Sequence, residues 1–244
     1  MGAVSYLNTK PLIYGFEKGM MKEEVELVMD YPANIASMLS KDEIDIGLVP
    51  VAILPALKEY HIISDYCIAC DGEVASVCLF SEVPVNEIKT ILLDYQSKTS
   101  VALLKILLKD HWNINPKLVD TSSGYELSIE GTTAGLVIGD RALEQRNKSK
   151  YSYDLGQAWK ELTGLPFVFA VWVSNKPMDK QFIEKFNMSN ALGIKHIIEV
   201  VKLTNFLSFD LELYYSKYIK YQIDNKNQKG LNEFLSRVDK QSHP

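Results

Sequence analysis

Seven consecutive residues without a polar side chain, Phe167-Val-Phe-Ala-Val-Trp-Val173, constrain this chain more than any other feature. A run so apolar and so rich in β-branched and aromatic residues is a strand. Ile44 to Leu54 is nearly as apolar and contains Gly47 and Pro50. It reads as a central parallel strand buried on both faces. Strand and helix patterns alternate along the rest of the chain, which points to an α/β fold with two α/β sheets.

Shorter strands are expected at Glu26–Met29, His61–Cys70, Val74–Phe80, Ile91–Leu93, Leu118–Val119 and Gly135–Ile138, with Asp71-Gly72 turning the second into the third. Asn34 is placed to cap a helix running to Ser40, and Thr99 or Ser100 to cap one running to Trp112. A further helix is expected over Leu155–Thr163. From Lys180 the pattern is helical, with breaks near Ser208-Phe-Asp210 and Gln228-Lys-Gly230. Tyr214, Tyr215, Tyr218 and Tyr221 form a stripe at helical spacing. It reads as a packing face, and it also offers a face for a homodimer.

With 244 residues, 47% of them hydrophobic, the chain can bury one large core or two small ones, and usual domain sizes favour two. The net charge of −5 argues against a nucleic-acid partner. The sequence shows neither a bilayer-length apolar run nor a secretory signal, so a soluble, cytoplasmic protein with no membrane partner is expected. Cys67-Ile-Ala-Cys70 lacks the context of a redox or zinc site, and it reads with Cys78 as small buried residues in strands. No phosphate loop, metal-ligand cluster or dinucleotide fingerprint appears, so no cofactor is expected.

The stretch Val4-Ser-Tyr-Leu-Asn-Thr-Lys-Pro-Leu12 reads as a short strand delivering Ser5, Asn8 and Thr9 to a helix start. In open α/β sheets ligands bind at such strand ends. SYLNTKPL resembles the N-terminal signature of the chorismate dehydratase family, which opens the futalosine route to menaquinone. The similarity continues through Asp45–Val51, Asp94–Ser100, Ala134–Leu143 and Tyr153–Trp172, in the same order, and is loose in the C-terminal third.

The resemblance implies two α/β lobes with a ligand cleft between them, as in type 2 periplasmic binding proteins. Crossings near Ser76 and Phe169 then give an outer lobe of residues 1–80 plus 169–244 and an inner lobe of residues 81–168. It also implies a dicarboxylate substrate, chorismate, and loss of water to an enolpyruvyl-substituted benzoate. Donors are available on both sides: Ser5, Tyr6, Asn8 and Thr9 in one lobe, and Ser97, Thr99, Ser100 and Gly139 in the other. A hydroxyl-bearing helix start binds an anion without any arginine.

The ring hydrogen to be lost is vinylogous to the ring carboxylate, so donors on that carboxylate stabilise a developing dienolate more than the ground state. None of His61, His111, His196 and His243 falls in a matched motif, and each reads as structural or surface. Under the resemblance the substrate's own enolpyruvyl carboxylate is the expected base, with a protein group as the alternative. Asn8 would orient that carboxylate, and Ser76 would hold the ring or leaving group. Bonds to Asn8's own backbone, or within the sheet for Ser76, are the plain alternatives. Asp140 is the best-placed protein carboxylate, and contact with the departing hydroxyl, pairing with Arg141 and capping of the next helix stay open. Two rival functions share this architecture: a small-carboxylate binding module, and a later enzyme of the same pathway that forms a dihydroxynaphthoate.

Overall fold

The computed structural model describes residues 1–242; His243 lies outside the described residues. Its strands are β1 (Gly2–Val4), β2 (Val28–Asp30), β3 (Ile46–Pro50), β4 (His61–Cys70), β5 (Val77–Ser81), β6 (Thr90–Leu93), β7 (Lys117–Asp120), β8 (Thr133–Ile138), β9 (Tyr151–Asp154), β10 (Phe167–Ser174) and β11 (Lys220–Gln222). The helices are α1 (Lys10–Glu17), α2 (Pro32–Ser40), α3 (Lys98–Asp110), α4 (Gly139–Gln145), α5 (Leu155–Thr163), α6 (Lys180–Lys195), α7 (Ile197–Lys202), α8 (Leu211–Leu213) and α9 (Asn225–Ser242).

Two mixed sheets result, one ordered β11-β4-β10-β3-β1-β2 and the other β7-β6-β8-β5-β9. The apolar runs occupy the middle of the first. All eight residues of β10 are buried, and it pairs antiparallel with both β3 and β4, while β1 pairs parallel with β3 and β2. The expected strand at 44–54 is shorter than its apolar run. After Pro50 the chain enters a 3-10 helix, Val51–Ala56, where Pro55 has no N–H to give to a ladder.

The chain passes between the sheets in residues 71–76 and again in 164–166. On strand membership we propose the lobe division at these crossings, somewhat before 80/81 and 168/169, since β5 lies in the second sheet. The first crossing is a bent segment rather than the start of the strand expected from Val74. Ala75 is fully buried at φ 64°, in the left-handed region that non-glycine residues avoid.

Local expectations differ in several places. Ser97, not Thr99 or Ser100, caps α3, its side chain accepting from the Ser100 N–H. Helix α2 starts at Pro32 after Tyr31, which leaves Asn34 inside the first turn with its amide on Asp30. Strands β9 and β11 were not anticipated; both are short and rich in polar residues, so neither carries a periodic signal. Helix α9 runs through Gly230 because Leu231 and Phe234 anchor it in the core. The tyrosine stripe is split between a π-helical turn, Tyr214–Tyr218, and β11. Tyr214, Tyr215 and Tyr221 are buried within the chain, which removes them as a dimer face. The three cysteines are free and buried, and burial pushes each thiol's pKa up.

Helices α1 and α6 meet backbone to backbone. A Cβ on Gly193 would lie 2.0 Å from the Pro11 carbonyl oxygen, and one on Gly15 2.2 Å from that of Ser189. This close approach fixes α1, and with it the loop that precedes it. Among the described residues no helix is long and apolar enough to cross a membrane.

Candidate active site

Tyr6, Asn8, Ser76, Ser97, Ser100 and Gly139 line one cleft between the two sheets. Its cavity volume is about 60 Å³, below the usual range for small-molecule sites, and reaches about 530 Å³ only when the part open to solvent is counted. Val4, Pro32, Pro50, Ile68, Ile138 and Phe169 give it apolar walls. Such walls suit a ring, and the polar groups at either end suit carboxylates.

Asn8 sits in a 3-10 turn, Leu7–Thr9, between β1 and α1. Its carbonyl accepts from the Tyr221 hydroxyl at 3.0 Å, and the nearest partner of its amide oxygen is Thr9 Oγ1 at 3.5 Å. That contact is long enough to leave the amide available to a ligand. Ser76 is 1% exposed and accepts a 2.7 Å hydrogen bond from the Tyr214 hydroxyl, while its carbonyl accepts from the Gly139 N–H. Gly139 has φ 62°, and a Cβ there would lie 3.1 Å from the Tyr6 ring. A glycine is required on both counts.

On the inner side the start of α3 faces the cleft. Ser97 accepts from the Ser100 N–H at 3.1 Å and donates to Ser100 Oγ at 2.9 Å, which frees the Ser100 hydroxyl hydrogen. The N–H groups of Lys98 and Thr99, in the first helical turn, have no carbonyl four residues back to receive them. Such an arrangement can receive an anion through N–H and hydroxyl donors.

Four expected site residues lie elsewhere. Ser5 is exposed, and Thr9 is fully buried toward the core. The Thr99 hydroxyl accepts from the Ala52 N–H at 3.1 Å, across the lobes. Asp140 accepts from the Leu7 N–H at 3.0 Å, also across the lobes, and its neighbour Arg141 pairs with Asp94 and Glu126 instead. With the Tyr6 hydroxyl donating to Gln96 at 2.6 Å, these bonds join the two lobes beside the cleft. Arg141 also donates to Gln96, and Tyr125 to Asp94, so a buried charged network stiffens the loop carrying Ser97.

Sequence reasoning missed Tyr214, Tyr221 and this network. Gln96 and Arg141 fall inside segments whose wording was informative; the tyrosines were hidden in a pattern that resembles ordinary helix packing.

Burial raises the Asp140 carboxyl above its ordinary value of 3.8, against the opposing pull of the Leu7 N–H and Lys10. A raised folded-state value means that its contribution to stability is full below pH 3.8 and is lost as pH rises through the folded value. Asp140→Asn keeps an oxygen for Leu7 and removes the buried charge. The variant is therefore expected to melt above wild type at neutral pH, with the gap closing on acidification toward 3.8; a gap that widens on acidification contradicts this electrostatic account.

The two α/β sheets and the cleft between them have a periplasmic-binding-protein-like fold. Archaeoglobus fulgidus protein AF1704 superposes with a TM-score of 0.81 at 15% identity, over 99% of this chain and 97% of that one. A Candida albicans protein, CA3427, described as having the generic periplasmic binding protein fold, gives 0.66 at 10% identity, over 98% and 89%. The chain belongs to the menaquinone biosynthesis family, whose model matches residues 1–240. Chorismate dehydratase of Campylobacter jejuni is 28% identical over 96% of this chain and 95% of its own length. That of Thermus thermophilus is 28% identical over 83% of this chain and 80% of its own.

Proposed function

We propose that this protein is a chorismate dehydratase, removing water from chorismate to give 3-[(1-carboxyvinyl)oxy]benzoate. The observation that carries the reading is the end-to-end similarity to the two chorismate dehydratases. The cleft agrees in chemistry: apolar walls for the ring, and donors at both ends for two carboxylates.

In this reading the ring carboxylate lies on the start of α3, against the Ser100 hydroxyl and the Lys98 and Thr99 N–H groups. The enolpyruvyl carboxylate is oriented by Asn8 and takes the ring proton. Charge moves into the ring carboxylate as a dienolate, where fixed donors stabilise it. The ring C–O bond then breaks, hydroxide leaves as water with the transferred proton, and the ring becomes aromatic. Ser76 faces the ring or the departing hydroxyl. Asp140, occupied by Leu7, acts by holding the lobes together rather than on the substrate. The reaction belongs to the futalosine route, which the N-terminal motif supports, and runs in the cytoplasm, in keeping with relatives that are biosynthetic enzymes.

The test is to incubate the purified protein with chorismate, follow loss of diene absorbance and identify the product by mass. Loss of one water with an aromatic product is expected. Intact chorismate with measurable binding would move the protein to the binding modules whose fold it shares.

A further inference from the structure

We infer that Tyr214 is a positioning residue for this reaction, holding Ser76 from the C-terminal segment; the inference rests on the dehydratase reading. Tyr214 opens the π-helical turn Tyr214–Tyr218 and is 1% exposed, so it does not line the cleft. Departures of this kind from α-helical geometry recur at functional sites. Its ring is wedged between Phe209 and Tyr215, at centroid distances of 6.1 and 5.6 Å, which fixes where the hydroxyl points.

That hydroxyl donates to Ser76 Oγ at 2.7 Å. Tyr221, from β11, donates to the Asn8 carbonyl. Two tyrosines of the C-terminal segment thus bond the two residues assigned to the chemistry, which are 68 residues apart in sequence (76 − 8).

The polarity of the bond gives it a consequence. Tyr214 donates, so Ser76 Oγ accepts, and the serine hydrogen is left to another acceptor. The acceptor offered by the protein is the Val74 carbonyl at 3.5 Å, too long for a good hydrogen bond. The serine hydrogen is therefore presented to the cleft, and the bond behind it strengthens it as a donor. Burial pushes the Tyr214 phenol's pKa up, so it stays a donor throughout the physiological range.

The experiment is a double-mutant cycle on chorismate dehydration using Tyr214→Phe, Ser76→Ala and both together. The phenylalanine keeps the ring packing and removes the donor. For Y214F kcat is expected to fall about tenfold or more, within the range seen for single positioned groups, while KM changes less than about threefold. In the S76A background the same change should have little further effect, because the group it orients is gone. Unchanged kcat in Y214F, or equal effects in both backgrounds, overturns the assignment. Should Y214F fail to fold, a crystal structure of wild type with the reaction product decides. Ser76 is expected to be bonded to both Tyr214 and product, and a serine turned away from either overturns the proposal. Wild type assayed alongside separates the two readings: if it leaves chorismate intact, the proposed function fails, whereas active wild type with unaffected Y214F sinks only the role of Tyr214.

Discussion

Replacing Asn8 with alanine is expected to lower chorismate turnover by on the order of 10³-fold while leaving the fold in place. The size follows from the role proposed for the amide. If it aims the substrate's own carboxylate at the ring proton, its loss removes the base's orientation, and single preorganised donors contribute about 10² to 10³ in rate. The stability cost is small for a structural reason. The backbone of the Leu7–Thr9 turn is held by the Tyr221 bond to the Asn8 carbonyl and the Asp140 bond to the Leu7 N–H, neither of which the substitution touches. The side chain itself gives up only the 3.5 Å contact with Thr9. A change of about 1 kcal/mol or less is expected, which thermal melting would register as a few degrees at most. Near-wild-type kcat in a folded N8A protein would remove Asn8 from the mechanism. A large loss of folded protein would instead assign Asn8 a structural role.

The role proposed for Asn8 rests on the family resemblance, whereas the turn carrying it is legible in one dimension because it follows a short strand and precedes a helix with proline in its first turn. So are the apolar runs that become β3 and β10, since strands buried on both faces tolerate no polar residue. What could not be read is anything decided by a partner distant in sequence. The Thr9 and Thr99 hydroxyls look identical to ligand donors until the fold turns one into the core and gives the other to Ala52. Asp140 and Arg141 are adjacent, yet they point to different lobes' partners. Tyr214 repeats the lesson in reverse: its spacing matched a packing face, and it does pack, but its hydroxyl reaches a serine 138 residues away. Periodicity reports which side of an element is buried. It carries nothing about what a polar atom on that side will meet.

The bent crossing that presents Ser76 leads to the largest expected effect on stability, loss of about 3 to 5 kcal/mol in Asp154→Ala. Asp154 ends β9 and caps α5, accepting from the Gly156 and Gln157 N–H groups. The same carboxylate accepts from Val74 N–H at 3.1 Å and Ala75 N–H at 2.7 Å, and it lies 3.9 Å from Arg146, which also donates to the Ala75 carbonyl. Truncation strands four backbone donors and removes the carboxylate facing the Arg146 guanidinium. Removal of a cap costs about 1 kcal/mol, each buried donor left unpaired a further 1 to 3, and loss of one member of a buried ion pair 3 to 5 in all; the contributions overlap and do not add. For a chain of this size the melting temperature should fall by about 10 °C. Activity should fall as well, measured well below the transition, because Ala75 keeps its unfavourable φ of 64° only while its N–H and carbonyl are clamped. When the clamp is released, the segment relaxes and takes Ser76 out of line with Tyr214 and the cleft. Asp154→Asn is the informative companion. It retains one acceptor but turns an NH2 group toward backbone donors, so it should lie between alanine and wild type in stability and still lose activity. If D154A loses stability yet D154N turns over chorismate at the wild-type rate, the carboxylate matters to the fold alone, and the strained crossing is not what aims Ser76.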